Sequence, residues 1–297
     1  MIALRPATPA DAEAVLAVIL ARDLADVGEE DYTLDDVHGE WADPGTDMER
    51  DTWVVEAEDG LAAYARAADD GQDVYVHPDH CGRGIGTALL EAVERRAGEQ
   101  GWLLKQYLPG GNTVAGELLS AHGYAITNRY WRMVGDLTEA PPAPVFPEDV
   151  WLRPYVDGDD EDEVHTLIHT SFSEIPGNIN HGIEQWRQRM IRSATYDPSL
   201  WLIATDGERI VGVLTNEEWK EGNMGWCAQL AVRPDHRRQG LGRALLLTAF
   251  GEFHRRGRTR VGFGVHGEND RAIALYESLG ARPAWRHDRY ERPGPGL

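Results

Sequence analysis

The chain contains two copies of one sequence pattern, and this duplication restricts its fold more than any other feature. The copies keep their elements in the same order at a nearly constant separation of roughly 150 residues, which indicates two similar structural units in tandem. The recurring elements are Leu4-Arg5-Pro6 with Leu152-Arg153-Pro154, Val76-His77-Pro78 with Val232-Arg233-Pro234, Gly84-Ile85-Gly86 with Gly240-Leu241-Gly242, Asn112 with Asn269, and Gly123 with Gly280.

The boundary between the copies is indicated by a proline-rich segment. A chain of 297 residues is long enough for two domains of ordinary size. Residues 140–147 contain four prolines, and proline at this density prevents a regular helix or central strand and favours an extended connector. We therefore expect domains at residues 1–142 and 148–297, with a boundary near residue 145.

Each copy has the apolar periodicity of a mixed α/β unit. In the first copy, Thr8-Pro9-Ala10-Asp11 is typical of a capped helix start. The predicted strands are 52–57, 72–76, 201–205, 209–215, 225–232 and 260–266, and the predicted helices are about 87–99, 242–255 and 270–279. The fold class is therefore α/β (α+β), with a mixed, mostly antiparallel central sheet flanked by helices in each copy.

Composition narrows the partners and the location. The formal charge of −21 disfavours nucleic acid, which requires clustered cations. The same charge either steers a cationic small molecule to the protein or only keeps the chain soluble, so the charge alone does not identify a partner. The sequence contains no run of about 18 apolar residues, so we expect no membrane span, and the N-terminus has no signal-peptide pattern. Because only Cys81 and Cys227 are present, we expect a reducing compartment, namely the cytoplasm. We expect no metal site, because the cysteines and histidines lack paired ligand spacing.

The segment that indicates chemistry runs from Leu230 to Arg243, where a strand leads through a basic, glycine-bearing turn into a helix. The first N–H groups of a helix are unsatisfied and its dipole is positive there, so such a turn can hold an anion. Glycines allow the main chain to approach a phosphate closely. The cations of the segment are Arg237, Arg238 and Arg243.

The full string resembles the acyl-CoA-binding motif of the GNAT superfamily of N-acetyltransferases, in which Val-x-Pro is followed by Arg-x-x-Gly-x-Gly. The match rests on Arg237, Gly240 and Gly242. The resemblance implies tandem GNAT folds, acetyl-CoA as co-substrate, pyrophosphate bound by loop amides, and the acyl arm along the preceding strand. The implied cofactor-binding residues are Leu230, Ala231, Val232, Arg237, Arg238, Gln239, Gly240, Leu241, Gly242, Arg243 and Asn269.

A second segment, Asn269 to Gly280, resembles the Asn-x-x-Ala-x-x-Leu-Tyr-x-x-x-Gly helix of the same family. There the Asn contacts the CoA arm and the Tyr hydroxyl lies near the sulfur. The thiolate that leaves needs a proton or a hydrogen-bond donor. The resemblance therefore makes Tyr276 the catalytic acid of the C-terminal copy.

The N-terminal copy departs from the family pattern at the positions that matter for chemistry. Leu119 occupies the place of Tyr276 and cannot donate a proton, and Cys81 stands at the family's Arg/Gln position. We expect this copy to be non-catalytic, a division similar to that in tandem GNAT proteins of the mycothiol synthase kind, although no motif indicates their substrate.

An amine must lose its proton before it attacks a thioester, so a base or a water chain is required. Glu217 is the leading candidate because family enzymes often carry the base on these central strands. The alternatives are Glu218, His266, Glu174, His181 and a water relay. A nucleophilic role for Cys227 is disfavoured because no pattern pairs it with a base, and residues 171–190 are either an acceptor lid or a packed connector.

The sequence thus predicts direct transfer of an acyl group, most simply acetyl, to a primary amine of a small molecule, by a monomer or homodimer. Three alternatives remain at this point: a protein or peptide N-acetyltransferase, a non-catalytic CoA-binding sensor or scaffold, and an acyl-CoA decarboxylase.

Overall fold

The computed structural model describes residues 2–58, 60–175, 182–193, 195–207, 209–220 and 222–292. The α-helices are α1 (Ala12–Asp26), α2 (Leu34–Trp41), α3 (Met48–Asp51), α4 (Ile85–Gln100), α5 (Thr113–Ala121), α6 (Glu161–Phe172), α7 (Ile183–Met190), α8 (Leu241–Arg255) and α9 (Asp270–Glu277). The strands are β1 (Thr52–Ala57), β2 (Gly60–Ala68), β3 (Gly71–Val76), β4 (Leu104–Pro109), β5 (Ala125–Asp136), β6 (Trp151–Pro154), β7 (Leu202–Thr205), β8 (Ile210–Trp219), β9 (Met224–Val232), β10 (Arg260–His266) and β11 (Arg282–Arg292).

The chain forms two compact units. Unit 1 comprises Met1–Arg129 together with Trp285–Leu297, and unit 2 comprises Tyr130–Ala284. The predicted boundary near residue 145 does not separate these units, because the end of β5 belongs to unit 2 and most of β11 belongs to unit 1.

In unit 1, β1, β2 and β3 form an antiparallel sheet, and β4 pairs antiparallel with β11, from Leu104 opposite Arg292 to Pro109 opposite His287. A short 3-10 helix at Pro9–Asp11, with a capping box of Thr8 and Asp11, begins where predicted and leads into α1 at Ala12. Helix α4 packs its apolar side, including Leu89 and Val93, against the alanine-rich strand β2. The unit is thus a mixed α/β structure.

In unit 2, β6, β7, β8 and β9 form successive antiparallel pairs, β10 lies parallel to β9, and β10 pairs antiparallel with β5. Helices α8 and α9 pack on one side of this sheet through the cluster that includes Leu245 and Phe253. Helices α6 and α7 pack on the other side around Trp186 and Trp201. We call these the α8 side and the α6 side.

The expected secondary structure is confirmed where the periodicity is strongest. Strands β1 and β10 have the predicted bounds, and α8 begins one residue before the predicted start. Strand β8 extends to Trp219 rather than ending at Thr215, because its polar end residues still pair with β9 as far as Met224. The mixed, mostly antiparallel sheet flanked by helices is also confirmed.

Candidate active site

A wedge opens in the sheet of unit 2 between β9 and β10. The parallel ladder between them runs from Met224–Arg260 to Cys227–Phe263, and both strands continue beyond that last pair. At this point β9 contains a bulge, since Thr215 pairs with Gln229 while Asn216 pairs with Cys227. A bulge bends its strand, so β9 from Ala228 onward turns away from β10 and leaves backbone groups on that edge available to a ligand.

The turn after β9 has backbone conformations that produce a concave array of N–H groups. Arg238 has φ +61° and Gly240 has φ +89°, and left-handed residues within such a turn direct successive N–H groups to one side. No atom lies within 4 Å of the position that a Cβ on Gly240 would occupy. Gly240 therefore relieves backbone strain and leaves open space in front of the turn.

The N-terminus of α8 faces the same space. The first intrahelical bond runs from the Ala244 N–H to the Gly240 carbonyl, and Gly240 supplies no capping side chain. Among the described residues, none accepts a hydrogen bond from the backbone N–H groups of 238–243. Unpaired amides at a helix N-terminus, with the helix dipole behind them, favour an anion such as a diphosphate.

The side chains of the turn have different tasks. Arg237 donates from Nε to the Val232 carbonyl at 2.9 Å and forms a bidentate ion pair with Glu174 at 2.6 and 3.1 Å. Gln239 donates to the Asp235 carbonyl, and Arg243 donates to the Ser278 hydroxyl at 2.9 Å. These three side chains brace the turn.

Arg238 differs from the other cations of the turn. It is exposed, and no residue in the described ranges holds its guanidinium. Its charge is therefore available to an anion bound in front of the turn.

The predicted contacts along β9 divide by side. Leu230 and Val232 lie on the α8 side, where a Cβ on Gly242 would meet them at 3.6 and 3.9 Å. Ala231 and Leu241 are buried in the two hydrophobic clusters, so only their backbone can face a ligand. The distances at Gly242 are those of ordinary packing, so packing alone does not require glycine there.

Asn269 and Tyr276 lie at the two ends of α9. The Asn269 Oδ1 accepts from the Ala272 N–H at 3.2 Å and caps the helix, while its Nδ2 has no hydrogen bond to a described residue. The Tyr276 ring stacks on Phe263, with centroids 4.2 Å apart and planes at 16°. Since Phe263 forms the last ladder pair, this stacking fixes Tyr276 beside the apex of the wedge.

Burial governs protonation at the apex. It raises the pKa of the Tyr276 phenol above its usual value, with a smaller contribution from Cys227. Burial also raises the pKa of the Cys227 thiol, which keeps that thiol neutral and a poor nucleophile. Tyr276 therefore keeps its proton at neutral pH and can donate a hydrogen bond.

Glu217 lies on the α6 side of β8, opposite Trp226 of β9. Its Oε2 accepts from the Thr195 hydroxyl at 2.9 Å and from the Trp219 indole at 3.5 Å. Its Oε1 has no hydrogen bond to any residue in the described part of the chain. One carboxylate oxygen is thus held in place while the other is available.

The other candidate bases have structural partners. Glu218 forms ion pairs with Arg256 at 3.1 Å and Arg258 at 3.0 Å. Glu174 pairs with Arg237, which lowers the pKa of that carboxyl. His266 is buried against Tyr130 and accepts from the Glu268 N–H, and His181 lies outside the described residues.

Sequence patterns did not identify several polar residues on the α6 side. Trp186 is buried, and its indole N–H donates to Gln229 at 3.0 Å. The part of residues 171–190 around Trp186 therefore belongs to the packed core, and residues 176–181 lie outside the described ranges. The Thr215 hydroxyl is fully buried without a partner among the described residues. These side chains are scattered along the sequence, and they come together through the register of β8 with β9 and the packing of α7 on the sheet.

The described residues contain no group of three or more His, Cys, Asp or Glu side chains that could hold a metal ion. Among the described helices, none combines the length and apolar character needed to cross a membrane.

Two family models match the chain. The Acetyltransferase (GNAT) family model matches residues 162–281, and an Acetyltransferase (GNAT) domain model matches residues 49–126. Mycothiol acetyltransferase of Thermobispora bispora is 32% identical over 213 residues, covering 70% of this chain and 71% of that protein. Mycothiol acetyltransferase of Geodermatophilus obscurus is 29% identical over 288 residues, covering 92% and 91%.

Solved structures give the same assignment. A GCN5-related N-acetyltransferase from Sphaerobacter thermophilus has a TM-score of 0.82 at 31% identity, covering 100% of this chain and 98% of that one. A tandem GNAT protein from the clavulanic acid biosynthesis pathway has a TM-score of 0.77 over the whole of both chains, and at 16% identity it shows the fold alone. With its two GNAT regions, the chain belongs to the GNAT family and is a tandem, acyl-CoA-dependent N-acetyltransferase similar in architecture to mycothiol synthase.

Proposed function

We propose that unit 2 binds acetyl-CoA in the wedge between β9 and β10 and acetylates a primary amine of a small molecule. The observation that carries this proposal is the ladder that ends at Cys227–Phe263, directly beside Tyr276 and upstream of the amide-lined turn. The relatives named as mycothiol acetyltransferases support a small-molecule acceptor. GNAT acetyltransferases use acetyl-CoA, which supplies an activated thioester carbonyl.

The turn and the N-terminus of α8 fit a diphosphate. The N–H groups of 238–243 would donate to the phosphate oxygens, and Arg238 would add a charge-assisted contact. Because Arg237, Gln239 and Arg243 are already held by other groups, we assign them to the shape of the turn rather than to direct charge neutralisation.

Beyond the bulge, β9 would orient the acyl arm. Its unpaired backbone edge can donate to the thioester oxygen, and the Asn269 Nδ2 can donate to the arm. Fixing the reactive carbonyl in this way supplies much of the rate acceleration by proximity and by a preorganised donor.

Tyr276 would assist the departure of the thiolate. Its raised pKa makes it a weak acid, so its main effect is a hydrogen bond to the sulfur as negative charge develops. On the α6 side, Glu217 would accept the proton of the incoming ammonium through Oε1. The two groups then act from opposite sides of the sheet.

Unit 1 would have a structural role. Leu119 is buried at the position of Tyr276 and offers no donor. A cytoplasmic location and a monomeric or homodimeric state stay predictions.

The direct test is a panel of primary amines assayed with acetyl-, propionyl- and succinyl-CoA by release of free thiol. We expect amine-dependent release that is fastest with acetyl-CoA. Binding of CoA by calorimetry without any amine-dependent turnover would instead indicate a sensor.

A further inference from the structure

A chain of hydroxyl groups leads away from Glu217. The Thr195 hydroxyl donates to the Glu217 Oε2 at 2.9 Å, and the Ser193 and Thr195 hydroxyl oxygens are 2.8 Å apart. The Thr195 N–H also donates to the Ser193 hydroxyl oxygen at 3.2 Å, which fixes the spacing of the two side chains. Ser193 is half-buried, so the far end of the chain reaches water.

The contacts of Glu217 separate its two oxygens. Oε2 is bound to Thr195 and Trp219, whereas Oε1 is unpaired among the described residues. The Trp219 ring stacks on Trp226, with centroids 4.4 Å apart, and the Arg132 guanidinium of β5 lies over both rings at 4.6 and 4.8 Å. Trp226 in turn lies over Gly262 and Gly264 of β10. The aromatic pair thus holds the carboxylate against the sheet, with one oxygen for the acceptor and one for the hydroxyl chain.

We propose that Thr195 and Ser193 form a proton relay that returns Glu217 to its ionised state after each turnover. The inference rests on the proposed role of Glu217 as base. Primary amines are protonated at neutral pH, since ammonium groups of this kind have a pKa near 10. A carboxylate that accepts such a proton beneath a bound acceptor requires an exit that the acceptor does not cover.

The proton steps balance without any further reactant. An N–H bond of the ammonium breaks, and its proton joins the Glu217 Oε1. The protonated carboxyl then makes a half-turn about its Cγ–Cδ bond, which brings the new O–H group beside Thr195, while the Thr195 hydroxyl turns toward Ser193. That carboxyl O–H bond breaks as its proton joins the Thr195 oxygen, the Thr195 O–H proton passes to Ser193, and the Ser193 O–H proton passes to water. Rotation of the hydroxyl groups restores the starting arrangement, in which Thr195 donates to the carboxylate.

A substitution series distinguishes a relay from a packing role. Thr195→Val keeps the shape of the side chain but removes the hydroxyl, Thr195→Ser keeps the hydroxyl, and Ser193→Ala removes the outer group. The matched control is Ser199→Ala, which removes a hydroxyl that contacts Asp197 and lies outside the chain to Glu217. The assay uses acetyl-CoA with the amine that shows the highest turnover in the panel above.

For Thr195→Val we expect kcat at pH 7 to fall by about tenfold, with an unchanged KM for acetyl-CoA and a larger solvent deuterium isotope effect. The loss should disappear at high pH, where the amine arrives without its extra proton. Thr195→Ser should restore wild-type rates, and Ser193→Ala should show a smaller loss with the same pH dependence.

A loss in Thr195→Val that is the same at every pH would overturn the relay and leave Glu217 as base. Full activity of Glu217→Gln at pH 7 would instead remove the base itself, and the relay with it. If Thr195→Val does not fold, Ser193→Ala decides the question through its pH profile, and a profile identical to that of wild type rejects the relay.

Discussion

The two copies of the pattern use corresponding side chains in opposite ways. Asn112 and Asn269 both cap a helix through Oδ1. In unit 1 the Asn112 Nδ2 donates to Asp26 of α1 at 2.8 Å, whereas the Asn269 Nδ2 in unit 2 has no partner within the described ranges. The group expected to contact a CoA arm is therefore occupied in one copy and available in the other.

The turns before α4 and α8 show a similar contrast. Their backbones agree: Gly82 and Gly84 have φ +73° and +79°, matching the positive φ of Arg238 and Gly240. In unit 1, Arg22 of α1 approaches the Cys81 sulfur at 3.6 Å and forms an ion pair with Asp26 at 2.7 Å. The first turn keeps its anion-binding shape, but α1 supplies polar groups beside it.

The polar residues on corresponding positions of the two sheets also differ in whether they have partners. By strand register, Asp73 and Arg66 of unit 1 correspond to Gln229 and Thr215 of unit 2. Arg66 forms an ion pair with Asp73 at 2.9 Å and contacts the Glu40 carboxyl group at 3.2 Å, whereas the Thr215 hydroxyl has no partner in the described part of the chain. Buried polar groups normally have partners, so the unpaired groups of unit 2 indicate where a ligand completes the structure.

The largest effect is expected from separating the two halves at the proline-rich segment. A fragment of residues 1–142 lacks β11, which pairs with β4, and a fragment of residues 148–297 lacks β5, which pairs with β10. Each exposes an unpaired strand edge, which favours aggregation. We expect neither fragment to be soluble alone; a monomeric, cooperatively melting fragment would show that the exchanged strands are dispensable.

The next effect concerns the chemistry at the wedge. Tyr276→Phe should lower kcat by about a hundredfold, because removing one preorganised hydrogen-bond donor costs ~10²–10³ in kcat, while CoA affinity measured by calorimetry stays unchanged. Leu119→Phe at the corresponding position of unit 1 is the matched control and should leave kcat unaltered. Equal losses in both variants would refute the assignment of chemistry to unit 2.

Glycine in the first turn of α8 gives a test that separates binding from folding. Gly242→Ala should leave thermal stability unchanged or raised, because alanine favours a helix by about 1 kcal/mol over glycine and its Cβ meets only ordinary contacts. We expect KM for acetyl-CoA to rise by about tenfold, since the methyl group limits approach to the turn. Gly86→Ala in unit 1 should leave KM unchanged, and an equal rise there would mean that both turns contribute to turnover.

A smaller effect is expected at the two asparagines. Asn269→Ala and Asn112→Ala each remove a helix cap and should each cost about 1 kcal/mol of stability. Only Asn269→Ala should raise KM for acetyl-CoA, by several-fold. A matching rise in Asn112→Ala would indicate that the contact with Asp26 opens during turnover.

The smallest effect is on stability alone. Burial raises the pKa of Glu40 to about 7, and its side chain also accepts a hydrogen bond from Tyr32. At pH values between the ordinary carboxyl pKa and about 7, Glu40 is therefore protonated in the folded state and ionised in the unfolded state. The contribution of Glu40 to the free energy of unfolding falls as the pH rises through that range. Relative to wild type, Glu40→Gln should gain about 1 kcal/mol between pH 5 and 8 in thermal unfolding, with unchanged activity; a pH-independent difference would contradict this.

The sequence predicted most of what depends on local pattern. The bounds of β1 and β10, the start of α8 and the glycine turn all follow from periodicity and from residues with special backbone requirements. The placement of Tyr276 at the wedge could be anticipated only through the family resemblance, because stacking on Phe263 is a contact between distant segments.

The rest depends on pairing between distant segments. The exchange of β5 and β11 could not be predicted, because β11 is rich in charged residues and lacks the apolar alternation that identifies a strand. The proline-rich segment also indicated a simple boundary. The Thr195–Glu217 contact was missed because Thr195 lies in an irregular segment without a motif. Helix α1 as the source of polar groups beside the first turn had no sequence signal either.

The strand pairing of unit 1 has a consequence for biosynthesis. A nascent chain completes β4 long before β11, since all the elements from β6 to α9 are translated between them. Until β11 has been synthesised, the backbone groups on that edge of β4 have no strand to pair with. The first unit therefore cannot finish folding on the ribosome ahead of the second. Order of translation and order of completion are therefore reversed for this part of the molecule.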